Sequence, residues 1–466
     1  MFSIAGDLEG EQSKTIVNFN TDSIYDLMTG SFVRGQEKDG KVKWFLTGGC
    51  GPYITGIQGR QQTFKSVVAA SLGIRMSALY DSQMLIFDSE LSLIRDTDRI
   101  LRMAGRHAAK LNQDYVLTFD AKNKYDLESI REAIHDLGEK KKAMGKDAMI
   151  TTPFIGKDGK RVSCFRPTCI FIDSYSECFS REEESLMTDK GLDDGRSKTL
   201  AMLDANKKTI ILRHLNRYAA EYGLELVATA HYGTKLNLDP YAANPKFSQW
   251  SNQGDTPKNV GSKWGFLTSP CILINSLTKL QDDAKQCKYK LCPTTCPTEL
   301  SELMILMQRC KGNASGLQHP FVVSQDNGFL TEATDYNYLK SNKSFGFQGN
   351  NVTHQSVFLP DVNMTRNSFR QQCIDDPRLA RALQLTAQLL YIQSNWSEAG
   401  WPFPMKVEPK ALMDMFMSDK SKYTTDAILH SRGYWLPDES ITKDTPEYFS
   451  IMDALELYSK SGVLKS

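Results

Sequence analysis

Three apolar runs in this chain stop on a residue suited to chemistry: Met84-Leu-Ile-Phe-Asp88, Cys169-Ile-Phe-Ile-Asp173 and Leu226-Val-Ala-Thr-Ala-His231. Runs this short and this apolar read as strands buried on both faces, as parallel sheets require. Helical patterns separate them. Lys65 to about Tyr80 is rich in Ala, Val, Leu and Met. Asp126 caps a stretch with Leu127, Ile130, Ile134 and Leu137 at helical spacing, and Ile211, Leu215, Tyr218 and Tyr222 mark a long helix that Gly223 stops. Further strands are expected at Lys43-Trp-Phe-Leu-Thr, Tyr53-Ile-Thr-Gly-Ile, Val116-Leu-Thr-Phe and Cys271-Ile-Leu-Ile-Asn. This alternation predicts an α/β fold with a mainly parallel twisted sheet and ligands at the strands' carboxyl ends. Gly59, Glu90, Asp173 and His231 all fall at such ends.

The segment Gly59-Arg60-Gln61-Gln62-Thr63-Phe64-Lys65-Ser66 follows one strand and opens a helix. It matches the phosphate-loop pattern G-x-x-x-x-G-K-[ST] except at Phe64, where the second Gly belongs. In such loops backbone N–H groups cradle phosphate, the Lys reaches the β- and γ-phosphates, and the Ser hydroxyl ligates Mg²⁺. Asp173 is then the metal-shell carboxylate acting with Ser66. Glu90 orients or deprotonates the attacking water, and His231 hydrogen-bonds the γ-phosphate. The expected cofactors are ATP and Mg²⁺.

A chain of 466 residues exceeds one ordinary core, so a large domain with appendages is expected. With 56 basic and 55 acidic residues, any nucleic-acid binding must come from a local patch. Ten cysteines at irregular spacing read as reduced intracellular thiols. No signal peptide, lipidation motif or bilayer-spanning run is visible, which points to an intracellular protein without a membrane partner. The expected organisation is an N-terminal segment over 1–45, a core over 46–345 and a mainly helical C-terminal region over 346–466. Asp376-Pro377 opens a helix there, carrying Leu379, Leu383, Ala387 and Leu390, and Thr445-Pro446 opens another. Two insertions interrupt the core. The first, 148–166, reads as a hairpin turning at Asp158-Gly159. The second, 281–300, holds Cys287, Cys292 and Cys296 without a C-x₂-C pair or a nearby His, so free thiols are favoured over zinc.

Thr63-Phe-Lys-Ser, Leu85-Ile-Phe-Asp-Ser-Glu-Leu, Ile170-Phe-Ile-Asp-Ser and Ala228-Thr-Ala-His resemble the RecA family. The likeness is strongest to its UvsX-like phage branch, whose phosphate loop also has Phe-Lys-Ser. It runs over about residues 20–345 in order and spacing. The resemblance implies a RecA-like P-loop ATPase core that forms helical filaments on single-stranded DNA, with ATP between neighbouring subunits. By the same resemblance Glu90 is the catalytic carboxylate, Asp173 the metal-shell Asp and His231 the switch residue. The adenine lies near Ile100, and Arg309 and Lys311 reach a neighbour's nucleotide in trans. Phe2-Ser-Ile-Ala5 matches an F-x-x-A pattern that contacts an adjacent protomer.

Two DNA-binding loops are also implied. The first falls within 178–200; Ser180-Arg-Glu-Glu183 reads as a capping box, which leaves Gly191, Gly195, Arg196 and Lys198. The second, 232–263, interleaves basic and aromatic residues: Lys235, Tyr241, Lys246, Phe247, Trp250, Lys258 and Lys263. That mixture suits phosphate contact with base stacking. The implied function is an ATP-dependent DNA recombinase acting in recombination, repair and replication, in a host cell's cytoplasm if the source is a phage. Its partners would be single- and double-stranded DNA, further copies of itself, and mediator and single-stranded-DNA-binding proteins. Two alternatives share the core: a hexameric replicative helicase, against which only about 58 residues precede the loop, and a RecA-like scaffold with weak ATPase activity.

Overall fold

The computed structural model describes residues 17–36, 42–90, 97–111, 116–119, 126–156, 158–190, 197–234, 246–342, 345–397, 403–404, 406–418, 423–437 and 448–459. At the centre lies a mixed sheet in which six strands run parallel. Their spatial order is Thr268–Lys279, Ile54–Gly59, Glu225–Thr234, Cys169–Asp173, Met84–Asp88 and Val116–Phe119. Antiparallel strands Leu300–Arg309, Gln318–Ser324 and Gly328–Phe329 continue the sheet beyond Thr268–Lys279. The α/β class and the mostly parallel sheet expected from the alternation are both present.

Period-two alternation sorts each strand between two cores. Cys169 and Phe171 enter the core beneath helix Lys65–Tyr80, while Ile170 and Ile172 face the opposite core with helices Leu127–Ala143 and Ser197–Tyr222. Lys65–Tyr80 buries every residue except Ser66, which accounts for its apolar character all round. Asp126 starts the second helix by accepting from Ser129 N at 2.8 Å. Gly223, at φ 60°, ends the third in a backbone conformation that costs glycine little.

Topology places the site. After Ile54–Gly59 the chain crosses two sheet positions before returning as Met84–Asp88, so Glu225–Thr234 and Cys169–Asp173 lie between. Register aligns the ends: Gly59 is level with His231 and Ile274, and Asp88 with Asp173. A crevice at carboxyl ends follows from such a switch in strand order.

Hairpin Met149–Ile155/Arg161–Phe165 forms at 148–166 and joins strands Ser31–Gln36 and Val42–Thr47 in a four-stranded antiparallel sheet. The N-terminal segment and the first insertion are therefore one layer. Beyond 346 the chain first makes three short antiparallel strands, Phe347–Gly349, Thr353–Ser356 and Leu359–Thr365, and only then helices. Polar alternation with Gly and Asn turns hides such strands among loops. Asp376 caps Pro377–Asn395 as expected, accepting from Arg378 N at 3.0 Å. That helix shares its core with Phe19, Tyr25 and Trp435, so the segments carrying those residues pack against the central sheet's helix layer. Thr445-Pro446 lies outside the described residues. Among the described residues no helix is long and apolar enough to cross a membrane.

Candidate active site

The loop 59–66 is tightly closed. A Cβ at Gly59 would lie 2.6 Å from Thr63 Oγ1 and 3.3 Å from Lys65 Cγ, so only glycine fits. Thr63 Oγ1 and Lys65 Nζ both donate to Arg60 O, at 2.7 and 2.9 Å. Phe64 adopts φ 59°, ψ 25°, the left-handed region. That conformation explains why Gly is usual here, and for a residue with a Cβ it costs about 1–2 kcal/mol. The ring offsets the cost by packing half-buried against the main core.

A cavity of about 630 Å³ opens above the loop, lined by Gln61, Gln62, Thr63, Phe64, Lys65, Ser66, Glu90, Arg99, Glu177, His231 and Gln325, among others. Asp173 is buried at its floor, where Thr229 Oγ1 donates to Oδ1 at 2.5 Å. Its other oxygen, Oδ2, is buried with no hydrogen-bond partner among the described residues. Burial raises the Asp173 carboxyl to about 6, and the Thr229 and Ser66 hydroxyls oppose that rise. Ser89 ties the neighbouring strand ends together, donating to Asp173 O at 3.1 Å and accepting from Ser174 N at 2.9 Å. Glu90 follows directly.

His231 Nε2 sits between two carboxylates, 3.4 Å from Glu90 Oε1 and 3.2 Å from Glu177 Oε1. Its hydrogen bond is the largest cause holding the Glu90 carboxyl below the usual range, against partial burial. The Lys65 ammonium is lowered by desolvation, which Glu90 and Asp173 oppose. Lys65, Ser66, Glu90, Asp173 and His231 are thus brought together, with four of them at the cavity wall and Asp173 beneath.

Other expected positions fall elsewhere. Ile100 is fully buried in the core and does not reach the cavity; its neighbour Arg99 does, donating to Gln325 O at 2.9 and 2.7 Å. Ile100 of helix Thr97–Arg102 packs inward, so a base could not stack on it. Arg309 is level with Cys271, three residues before the Gly59 level, or about 10 Å along the strand toward its amino end. There it donates to Gly265 O at 2.8 Å and lies 4.8 Å over the Phe266 ring. Lys311 N donates to Ser269 Oγ at 3.0 Å. Neither lines this chain's cavity.

Strand Asp255–Pro257 pairs with Tyr232–Thr234, closing the base of the loop that follows His231. Lys258 N donates to His231 O at 2.8 Å, and Lys258 lines a second cavity of about 540 Å³ that shares Gln61, Glu177 and His231 with the first. Lys246 and Lys263 are exposed, and Phe247 packs edge-on to Tyr232 at 6.5 Å. Trp250 is 43% exposed and rests against Gly316. Lys198 falls in the first turn of Ser197–Tyr222. Phe2, Ala5, Gly191, Gly195, Arg196, Lys235 and Tyr241 lie outside the described residues. Cys287 is buried while Cys292 and Cys296 are exposed, and among the described residues no group of three His, Cys, Asp or Glu could hold a metal ion.

Sequence reasoning missed Glu177 and Thr229. Thr229 was accessible, because it lies two residues before His231 and so shares its side of the strand. Glu177 was not, since it sits on an irregular turn after Asp173. A further link, Gln58 to Gln308 and Gln308 Nε2 to Ser251 Oγ at 2.9 Å, joins the strand beneath the loop to the segment bearing Trp250. Compared with protein-family models and with curated proteins, the chain matches none.

Proposed function

We propose that this chain is an ATP-dependent DNA recombinase of RecA type that forms filaments on single-stranded DNA and promotes homologous pairing and strand exchange. One observation carries the ATPase half: Lys65, Ser66, Glu90 and His231 line one cavity over the buried Asp173. The first turn of helix Lys65–Tyr80 aims backbone N–H groups and the positive end of its dipole at the loop, which favours a phosphate there. Lys65 adds a partly desolvated charge.

The unpartnered buried oxygen of Asp173 and the Ser66 hydroxyl at the helix start fit a hard cation. Both would hold Mg²⁺, which when bound supplies neutralisation of phosphate charge. The His231 hydrogen bond holds the Glu90 carboxyl below its usual range, so it is ionised at neutral pH and placed to orient the attacking water. His231 faces Glu90 and Glu177 together, and strand Glu225–Thr234 leads straight from it into the basic and aromatic loop. This continuity, with the Gln58–Gln308–Ser251 link, supports coupling between nucleotide and DNA.

Glu90→Gln tests the reading. ATP and single-stranded DNA binding should persist, while turnover falls at least about a hundredfold. Unchanged turnover excludes the assigned role. Electron microscopy with an ATP analogue and single-stranded DNA separates the classes: open helical filaments support a recombinase, closed rings a helicase.

A further inference from the structure

Between strands Thr268–Lys279 and Leu300–Arg309 the chain carries a short tandem repeat, Cys292-Pro293-Thr294-Thr295 followed by Cys296-Pro297-Thr298-Glu299. Each copy is a turn closed by a backbone hydrogen bond from its fourth residue to its first: Thr295 N to Cys292 O and Glu299 N to Cys296 O, both 3.1 Å. Proline at the second position presets the turn. Exposure repeats with the sequence, since Cys, Pro and Thr are exposed in both copies and the fourth residue is half-buried. The fourth residues are anchors. Thr295 Oγ1 accepts from Leu291 N and Cys292 N at 3.0 Å each, and Glu299 pairs with Arg370 at 3.0 Å.

This geometry serves the sulfurs. Thr294 Oγ1 is 3.2 Å from Cys292 Sγ, and Thr298 Oγ1 is 3.4 Å from Cys296 Sγ. In each turn the threonine hydroxyl and the same residue's backbone N–H favour the thiolate, and the hydroxyl is the largest cause holding the thiol below its usual range. The other eight cysteines are buried or half-buried, and burial pushes every one of them up. Two sulfurs out of ten are therefore both accessible and activated, and a repeated turn makes them so.

We propose that Cys292 and Cys296 form a paired modification site that reacts with small disulfides by thiol–disulfide exchange. The thiolate attacks one sulfur of the incoming disulfide and a new S–S bond forms. The old S–S bond breaks, and its electron pair leaves with the departing thiolate, which takes a proton from water. An exposed turn leaves the sulfurs open to a small disulfide and the departing group solvated.

Ellman's reagent on the full chain at pH 7 tests the site. Two equivalents of chromophore should be released in a fast phase, one lost in Cys292→Ser, one in Cys296→Ser and both in the double variant. Release counts the same whether each sulfur keeps its adduct or the two close on each other. Thr294→Val with Thr298→Val should slow the fast phase measurably against the wild-type chain. Without the hydroxyls the thiolate fraction falls more steeply than the intrinsic nucleophilicity of the remaining thiolate rises, so the net effect is a slower reaction. Serine at both positions should restore the rate. A fast phase surviving in the double cysteine variant, or an unchanged rate in the valine variant, overturns the proposal.

Discussion

Phe64 gives the sharpest test of the loop, because two substitutions there should rank against the usual order. In a helix interior alanine is more stable than glycine by about 1 kcal/mol. At φ 59° a Cβ costs about 1–2 kcal/mol, while glycine pays about 0.5–1 kcal/mol of additional backbone entropy. Both Phe64→Ala and Phe64→Gly lose the same half-buried ring, so that loss cancels between them. At the midpoints of these ranges the backbone terms leave Phe64→Gly ahead by about 0.75 kcal/mol, with outer bounds of about 0 and 1.5 kcal/mol. Urea unfolding of the two full-length variants side by side, without nucleotide, reads the difference as a higher midpoint for glycine. Phe64→Gly also completes the G-x-x-x-x-G-K-[ST] pattern, so nucleotide binding should survive in it. An alanine variant more stable than the glycine variant refutes the left-handed conformation, and with it the account of why this position is normally glycine.

Two further outcomes are expected. His319 is buried among Phe321, Tyr338 and Tyr391, and burial lowers its imidazole from 6.5 to about 3. A depressed histidine is proton-poor when folded, so its full stability is present above pH 6.5 and is lost as pH falls from there toward 3. Between pH 7 and 5 the loss is about 2 kcal/mol, at 1.36 kcal/mol per unit. His319→Phe should remove that part of the pH dependence in paired denaturation curves; parallel curves would contradict a neutral buried ring. In the candidate DNA loop, Trp250→Ala should weaken single-stranded DNA binding by about 1–3 kcal/mol, the worth of a stacked base. Lys258→Ala should lower the salt slope by about one, measured by fluorescence anisotropy, and wild-type affinity and slope in both would return the segment to a structural role.

The elements most legible in the sequence were those whose constraint is local. Strands Met84–Asp88, Val116–Phe119 and Cys169–Asp173 begin and end where their apolar runs do. In Met84–Asp88 and Cys169–Asp173, burial on both faces admits no polar residue until the carboxyl end. The strands over 347–365 were illegible because their side chains alternate weakly and half-face solvent. Long-range pairing was equally hidden. Asp22, at φ 53°, accepts from His107 or shares a proton with it at 2.8 Å and accepts from Gln384 Nε2 at 2.8 Å, with the Arg106 guanidinium against the same carboxylate. Nothing near Asp22 in the chain signals a partner 362 residues away, yet this buried cluster fastens helix Pro377–Asn395 to the N-terminal segment.

At the site, legibility followed the strands. Residues at or just past the carboxyl end of a buried apolar run were found, because a parallel sheet collects carboxyl ends whatever the helices between them do. Ile100 lies in the core and not at the cavity for the converse reason. A base-stacking position depends on how a short helix rotates about its axis, and one residue is about 100° of rotation. In Thr97–Arg102 that angle decides between the core, where Ile100 lies, and the cavity, which Arg99 lines. At the cavity wall, in place of an aromatic ring, stands the Arg99 guanidinium, a planar cation. Its two hydrogen bonds to Gln325 O hold it in one orientation, so adenine affinity should depend on Arg99 rather than on any apolar neighbour. Arg99→Ala compared with Ile100→Val, assayed by binding of a fluorescent ATP analogue, distinguishes the two. Loss in the first alone supports the guanidinium, and loss in the second alone restores the position read from sequence.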